Sequence, residues 1–185
     1  ATPQTATDAL TAAKRMTSDI VFYTDDPTMS VTVRELRLGP NELTRMLVTN
    51  GKGDGATSED YGTMALASLI PALHVAEPRS AFVIGMGTGV SAGEFVELDG
   101  AERVVVAEIS QGVIDAAPFF DFANFGVSQH PKIEIVRGDA YRSLLRSDER
   151  FDVIVSEPSN PWVTGVEMLF SREFLSAARD RLEPG

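Results

Sequence analysis

Apolar runs punctuate the second half of the chain at Ala81–Ile84, Val104–Ile109, Ile133–Val136 and Val153–Val155. They are nearly continuous rather than alternating, the pattern of strands buried on both faces of a parallel sheet. Between them, Val90–Leu98, Gln111–Phe120 and Ala140–Arg146 carry apolar residues at helical spacing. A last helix starts near Ser171, a natural N-cap, and ends before Pro184–Gly185. Strand and helix therefore alternate from Arg79 onward, which predicts a doubly wound, Rossmann-like α/β sheet.

The first part reads differently. Thr7–Met16 is Ala-rich and predicts a helix. Ile20–Thr24, Met29–Leu38 and Leu43–Thr49 hold β-branched and aromatic residues in partial alternation. Asp25-Asp26-Pro27 turns the chain after the first of these runs, and Asn50-Gly51 after the last. These features predict a small antiparallel β region. Gly51, Gly53 and Gly55 predict a flexible loop, and a helix is expected over Ser58–His74 with Pro71 in its last turn. The division expected is residues 1–55 as N-terminal helix and small sheet, and 56–185 as the Rossmann-like unit.

Composition narrows the chemistry. With 43% apolar residues the chain has the material for a core. No apolar run approaches the roughly 20 residues of a membrane span, and no signal peptide is recognisable. The absence of cysteine excludes disulfides and thiolate chemistry and fits a reducing, cytoplasmic setting. His74 and His130 lie far apart, so no metal is expected. A formal net charge of −11 opposes nucleic acid as a partner and favours a small cationic one, although acidic surfaces also simply aid solubility.

The sharpest local signal is Ala81-Phe82-Val83-Ile84-Gly85-Met86-Gly87-Thr88-Gly89, a buried strand entering a glycine-rich turn and then a helix. Such a turn lets backbone approach a ligand, or is merely tight. Val90 stands where a dinucleotide fingerprint wants its third glycine, which points to a nucleoside rather than to NAD. Glu108, nineteen positions after Gly89, ends the second run. A carboxylate there suits two ribose hydroxyls, or is a surface Glu at a strand end. Asp139 and Ala140 follow the third run. Asp139 is placed either to meet an adenine amino group or to cap the next helix. The fourth run enters Ser156-Glu157-Pro158-Ser159-Asn160-Pro161-Trp162. Glu157 can steer an ammonium or take its proton, Asn160 adds an amide, and Trp162 offers a cation–π face. A proline-stiffened structural turn is the alternative.

These blocks, with Val106-Ala107-Glu108-Ile109, Gly138-Asp139-Ala140, Phe151-Asp152-Val153-Ile154-Val155-Ser156-Glu157 and Leu169-Phe170-Ser171-Arg172-Glu173-Phe174, resemble the spermidine synthases (polyamine aminopropyltransferases). The resemblance spans roughly residues 20–185. It is strongest to bacterial spermidine-synthase-like domains fused to transporter-like membrane segments. It implies a fold of the S-adenosylmethionine-dependent methyltransferase type, with C-terminal strands beyond Gly185. It also implies an aminopropyl donor, decarboxylated S-adenosylmethionine, and an amine acceptor. Gly85, Gly87, Thr88, Gly89, Glu108, Asp139 and Ala140 fall at its cofactor positions and Glu157 at its catalytic carboxylate. Asp54, Tyr61, Asn160 and Trp162 fall at or near its substrate positions. Thr88 departs from the family, which usually has an aspartate there to receive the donor's amine. The blurred Asp60–Met64 segment is a second departure. These departures keep two alternatives open: a methyltransferase using S-adenosylmethionine, and a non-catalytic nucleoside- or polyamine-binding domain. A homodimer and a membrane segment outside this chain are compatible with the resemblance.

Overall fold

The computed structural model describes residues 18–39, 42–158 and 166–184. The expected helix at Thr7–Met16 lies outside these residues, as do Asn160 and Trp162.

Four strands, β1 (Asp19–Asp25), β2 (Ser30–Gly39), β3 (Glu42–Thr49) and β4 (Lys52–Ala56), pair in sequence order into an antiparallel sheet. The Asn50–Gly51 turn closes β3 on β4 with φ of 49° and 79°, the left-handed geometry of a two-residue hairpin. The segment expected as a flexible loop is therefore strand β4. Its backbone pairs Thr49 with Lys52, Val48 with Gly53, and Leu47 with Gly55. This pairing outweighs the conformational entropy of its glycines. Gly55 is needed for closeness: a Cβ there would lie 3.2 Å from Thr88 Cγ2.

Helix α1 (Tyr61–Ala72) is shorter than its apolar pattern and contains Pro71 in its last turn. Four parallel strands follow: β5 (Ser80–Ile84), β6 (Arg103–Glu108), β7 (Ile133–Arg137) and β8 (Val153–Ser156). They are interleaved with helices α2 (Val90–Val96), α3 (Gln111–Ala116) and α4 (Ala140–Arg146), and α5 (Arg172–Asp180) comes last. The expected helix to Phe120 stops at Ala116, and Pro118 sits in the 3₁₀ turn Ala117–Phe119 that follows. Ser171 caps α5 by accepting the Phe174 N–H.

The parallel sheet has the order β7-β6-β5-β8. The chain thus winds outward from β5 in one direction and then returns to its other side. Such a reversal opens a crevice at the carboxyl ends of the two central strands. Both faces of the sheet are buried, as the continuous apolar runs require. Phe82, Ile84, Val105 and Ala107 point to one face, with Leu144 of α4 and Phe174 of α5. Ala81, Val83, Val104 and Val106 point to the other, in a cluster that also contains Phe95, Val113 and Phe120. Val31, Val33 and Leu47 of the antiparallel sheet belong to that same cluster. Arg45 ties the antiparallel sheet to the segment that follows α3. It pairs with Glu35 at 2.8 Å and lies over the rings of Phe119 and Phe122, 5.7 and 5.1 Å from their centroids. Among the described residues no helix is long and apolar enough to cross a membrane.

Candidate functional site

The glycine turn leaves β5 at its carboxyl end. Gly85 continues the sheet ladder, its N–H donating to Ala107 O at 2.9 Å. Gly85 and Gly87 then take φ of 77° and 53°, and a Cβ on either would meet no atom within 4 Å. Both positions therefore offer bare backbone and open space, as a cradle for a bound group does. Gly89 differs. It is the left-handed N-cap of α2, and a Cβ there would come within 2.7 Å of Asn124 Nδ2. Its role is turn and packing, and it does not border the cavity described next.

A cavity of about 700 Å³ lies between the carboxyl ends of the parallel strands and the antiparallel sheet. Gly85, Gly87, Thr88, Glu108, Asp139, Ala140, Glu157 and Asp54 all border it, so residues from five separate stretches of sequence converge there. Tyr61 does not: its hydroxyl donates to Glu94 of α2, and burial together with that carboxylate pushes its pKa up to about 12. Thr88 is buried, with its hydroxyl donating to Met64 Sδ at 3.1 Å and its carbonyl accepting from Asn124 Nδ2 at 2.8 Å.

Glu108 ends β6 and is only 6% exposed, which excludes a surface role at the strand end. Its oxygens accept the Met86 N–H at 2.8 Å and the Ser110 N–H at 2.7 Å. One lone pair on each oxygen remains for a ligand. Burial raises its pKa above the usual carboxyl value, against the pull of those backbone donors. Asp139 is the N-cap of α4, accepting the Arg142 N–H at 2.7 Å. The capping alternative is thus satisfied by one oxygen, and the residue still borders the cavity.

Glu157 follows β8 and is water-accessible, yet its surroundings raise its pKa, first by desolvation and then by the charge of Asp60. Asp54 behaves alike: protein crowds a carboxylate that water still reaches and raises its pKa, offset in part by Lys52. Asp60, Lys52, Met29 and Met64 also border the cavity and were not singled out from sequence. For Asp60 the signal was present, because it opens the Asp60–Met64 segment. For Lys52 it was absent, because only pairing of β4 with β3 turns that segment toward the cavity. Among the described residues the cavity holds five carboxylates, on Asp54, Asp60, Glu108, Asp139 and Glu157, and one ammonium, on Lys52. Such a site attracts cations and repels anions. No group of residues suited to a metal occurs among those described.

The chain is similar to known proteins. A spermidine synthase crystallised with the transition-state analogue AdoDATO superposes with a TM-score of 0.78 at 21% identity, over 89% of this chain and 55% of that one. At that identity the likeness is one of fold. A polyamine aminopropyltransferase of Thermococcus kodakarensis is 34% identical over 111 residues, 57% of this chain and 38% of that protein. One from Archaeoglobus fulgidus is 31% identical over 140 residues, 75% of this chain and 51% of that protein. The chain thus spans about half, or less, of the length of these relatives. The sequence profile described as "Spermine/spermidine synthase domain" matches residues 63–185. That stretch is more than half of the chain and carries the glycine turn, Glu108 and Glu157, so the chain belongs to the spermine/spermidine synthase domain family.

Proposed function

We propose that this chain binds an adenosyl sulfonium donor in the cavity and transfers its aminopropyl group to an amine. The donor would be decarboxylated S-adenosylmethionine, and the acceptor a small diamine or polyamine. One observation carries the choice of donor: among the described residues five carboxylates face one ammonium around the cavity. Decarboxylated S-adenosylmethionine has two positive charges and no carboxylate, whereas S-adenosylmethionine brings a carboxylate into an already acidic site. The raised pKa values of Asp54 and Glu157 reflect desolvation of their charged forms, which the charge of a bound cation offsets. The names of the relatives support the same reading.

In this reading Gly85 and Gly87 give backbone space to the nucleoside, Glu108 accepts the ribose hydroxyls, and Asp139 with Ala140 meets the adenine. Asp54 and Asp60 hold the ammonium groups in place of an aspartate at Thr88. The substrate roles of Asn160 and Trp162 belong to the same proposal. The donor supplies an activated carbon: the acceptor nitrogen bonds to the carbon beside sulfur, the C–S bond breaks, and its electron pair stays on a neutral thioether. The protein's part is alignment and removal of one proton from the attacking nitrogen, which Glu157 takes. The antiparallel strands β1 to β4 form the roof of the site in this account, and the parallel strands β5 to β8 the nucleoside-binding floor.

Calorimetry with decarboxylated S-adenosylmethionine, S-adenosylmethionine and methylthioadenosine tests the donor, and product analysis with putrescine and longer amines tests the transfer. Tighter binding of the decarboxylated donor and an aminopropylated product are expected. A methylated product, or preference for S-adenosylmethionine, would replace this reading by methyl transfer. Nucleoside binding without turnover would replace it by a binding domain.

A further inference from the structure

A side chain of the antiparallel sheet reaches the turn that carries Glu108. Asp26 lies between β1 and β2, and its two oxygens have different partners. Oδ1 accepts the N–H groups of Thr28 at 2.6 Å and Met29 at 3.0 Å, and the Thr28 hydroxyl, which shapes the local turn. Oδ2 leaves the turn altogether. It accepts the Ser110 hydroxyl at 2.6 Å and the Gly112 N–H at 2.8 Å, 84 and 86 positions away in sequence. The contact is tight, because a Cβ on Gly112 would lie 2.8 Å from Thr24 Cγ2 and 2.9 Å from Val31 Cγ2.

Ser110 is fully buried and faces two ways. Its hydroxyl donates to Asp26, and its N–H donates to Glu108 Oε1 at 2.7 Å. It also caps α3 by accepting the Val113 N–H at 3.1 Å. A serine alone suffices for that cap, so a second carboxylate at the same helix start exceeds what helix formation asks for. What Asp26 adds is a fixed position for Ser110 relative to the roof. Asp26 does not border the cavity and acts only through its neighbour.

We propose that Asp26 is a positioning residue for Glu108: by holding Ser110 from the antiparallel sheet, it fixes the N–H that orients the carboxylate, and thereby sets selectivity for a ribose. The proposal rests on the reading of Glu108 as the ribose acceptor. Its specific consequence is that loosening Asp26 erodes discrimination between ribose and deoxyribose, whereas a general loosening of the fold weakens both ligands alike and leaves their ratio unchanged.

The test is calorimetry on the full chain with methylthioadenosine and its 2′-deoxy analogue. The proteins are wild type, Glu108→Ala, Asp26→Ala, Ser110→Ala and the Asp26/Glu108 double variant. The wild type is expected to prefer the ribose form by about tenfold, the value of one charge-assisted hydrogen bond. Glu108→Ala abolishes the preference, Asp26→Ala brings it toward unity, and the double variant goes no further than Glu108→Ala alone. Wild-type discrimination in a folded Asp26→Ala protein overturns the positioning role and leaves the ribose reading standing. Should Asp26→Ala fail to fold by circular dichroism, Ser110→Ala cuts the Asp26–Ser110 link and leaves the turn between β1 and β2 intact, at the cost of the α3 cap. Retained discrimination there overturns the proposal equally. A wild type indifferent to the 2′-hydroxyl, or a Glu108→Ala protein that keeps the preference, removes the ribose reading itself and the positioning role with it.

Discussion

Replacing Glu108 by alanine should lower stability and nucleoside affinity together, for reasons that can be worked separately. The substitution takes the acceptor away from two buried backbone donors, Met86 N–H and Ser110 N–H, bonded at 2.8 and 2.7 Å. A stranded donor costs about 1–3 kcal/mol. The cavity lets water reach this point, which favours the lower end, so about 2 kcal/mol for the pair. Against it stands the relief of removing a charge that burial disfavours. A net loss of about 1–2 kcal/mol corresponds in a chain of this size to a drop in Tm of roughly 2–8 °C. The raised pKa fixes the pH dependence. The folded carboxyl binds its proton more readily than the unfolded one, so its contribution is full below the ordinary carboxyl pKa and is lost as pH rises through the folded value. The deficit of the variant should therefore be larger in mildly acid than in neutral solution. Two charge-assisted bonds to ribose hydroxyls add at least about tenfold in affinity. Scanning calorimetry across pH and titration with methylthioadenosine measure both. A variant that melts like wild type and binds as tightly would refute the two-donor account and the ribose assignment at once.

Glu157→Gln should leave nucleoside affinity unchanged and reduce turnover by about a hundredfold, about 2.7 kcal/mol of barrier. It should also remove the acid limb of the pH–rate profile, displaced above the usual carboxylate range by desolvation and Asp60; unchanged turnover would take Glu157 out of the mechanism. Gly87→Val places a β-branched residue at φ 53° with its Cβ in open cavity. It should cost about 1–2 kcal/mol in stability and abolish nucleoside binding, and titration of the purified variant decides whether the ligand sits there. Arg45→Met leaves Glu35 with only the exposed Arg37 as partner and should destabilise by about 1–3 kcal/mol. Because Arg45 lowers the pKa of Glu35, that contribution is present above the unfolded carboxyl value and fades as pH falls through the folded one. Melts of wild type and variant should therefore converge in acid.

The parallel sheet was legible because its signals are local and redundant. Val83 and Val106 are buried on one face and Phe82 and Val105 on the other, so each strand had to read as unbroken apolar sequence. Ser171 and Asp139 announced their helices because capping needs only neighbouring atoms. Strand β4 was not legible. Lys-Gly-Asp-Gly-Ala has the composition of a loop, and only its partner β3 makes it a strand. The misplaced residues share that cause. Tyr61 turns to Glu94, 33 positions on, and Gly89 is packed against Asn124. Lys52 reaches the cavity because the pairing of β4 with β3 brings it there. Asp26 looked like a turn residue because its second oxygen spends itself on partners 84 and 86 positions away.

The hydrophobic cluster that joins Val31, Val33 and Leu47 to Val83, Val106, Val113 and Phe120 has a consequence for how the molecule comes apart. Two sheets that share one core through α3 have no seam along which one can melt and leave the other intact. Removing the first strands would bare the flank of α3 to water, at about 25 cal/mol for each Å² of apolar surface. Roof and floor should therefore denature in a single cooperative transition, and fragments divided near residue 56 should be insoluble or mutually dependent. The antiparallel sheet is thus part of one folding unit with the parallel sheet rather than an addition to it. Substitutions in it are constrained by folding before they are constrained by any substrate.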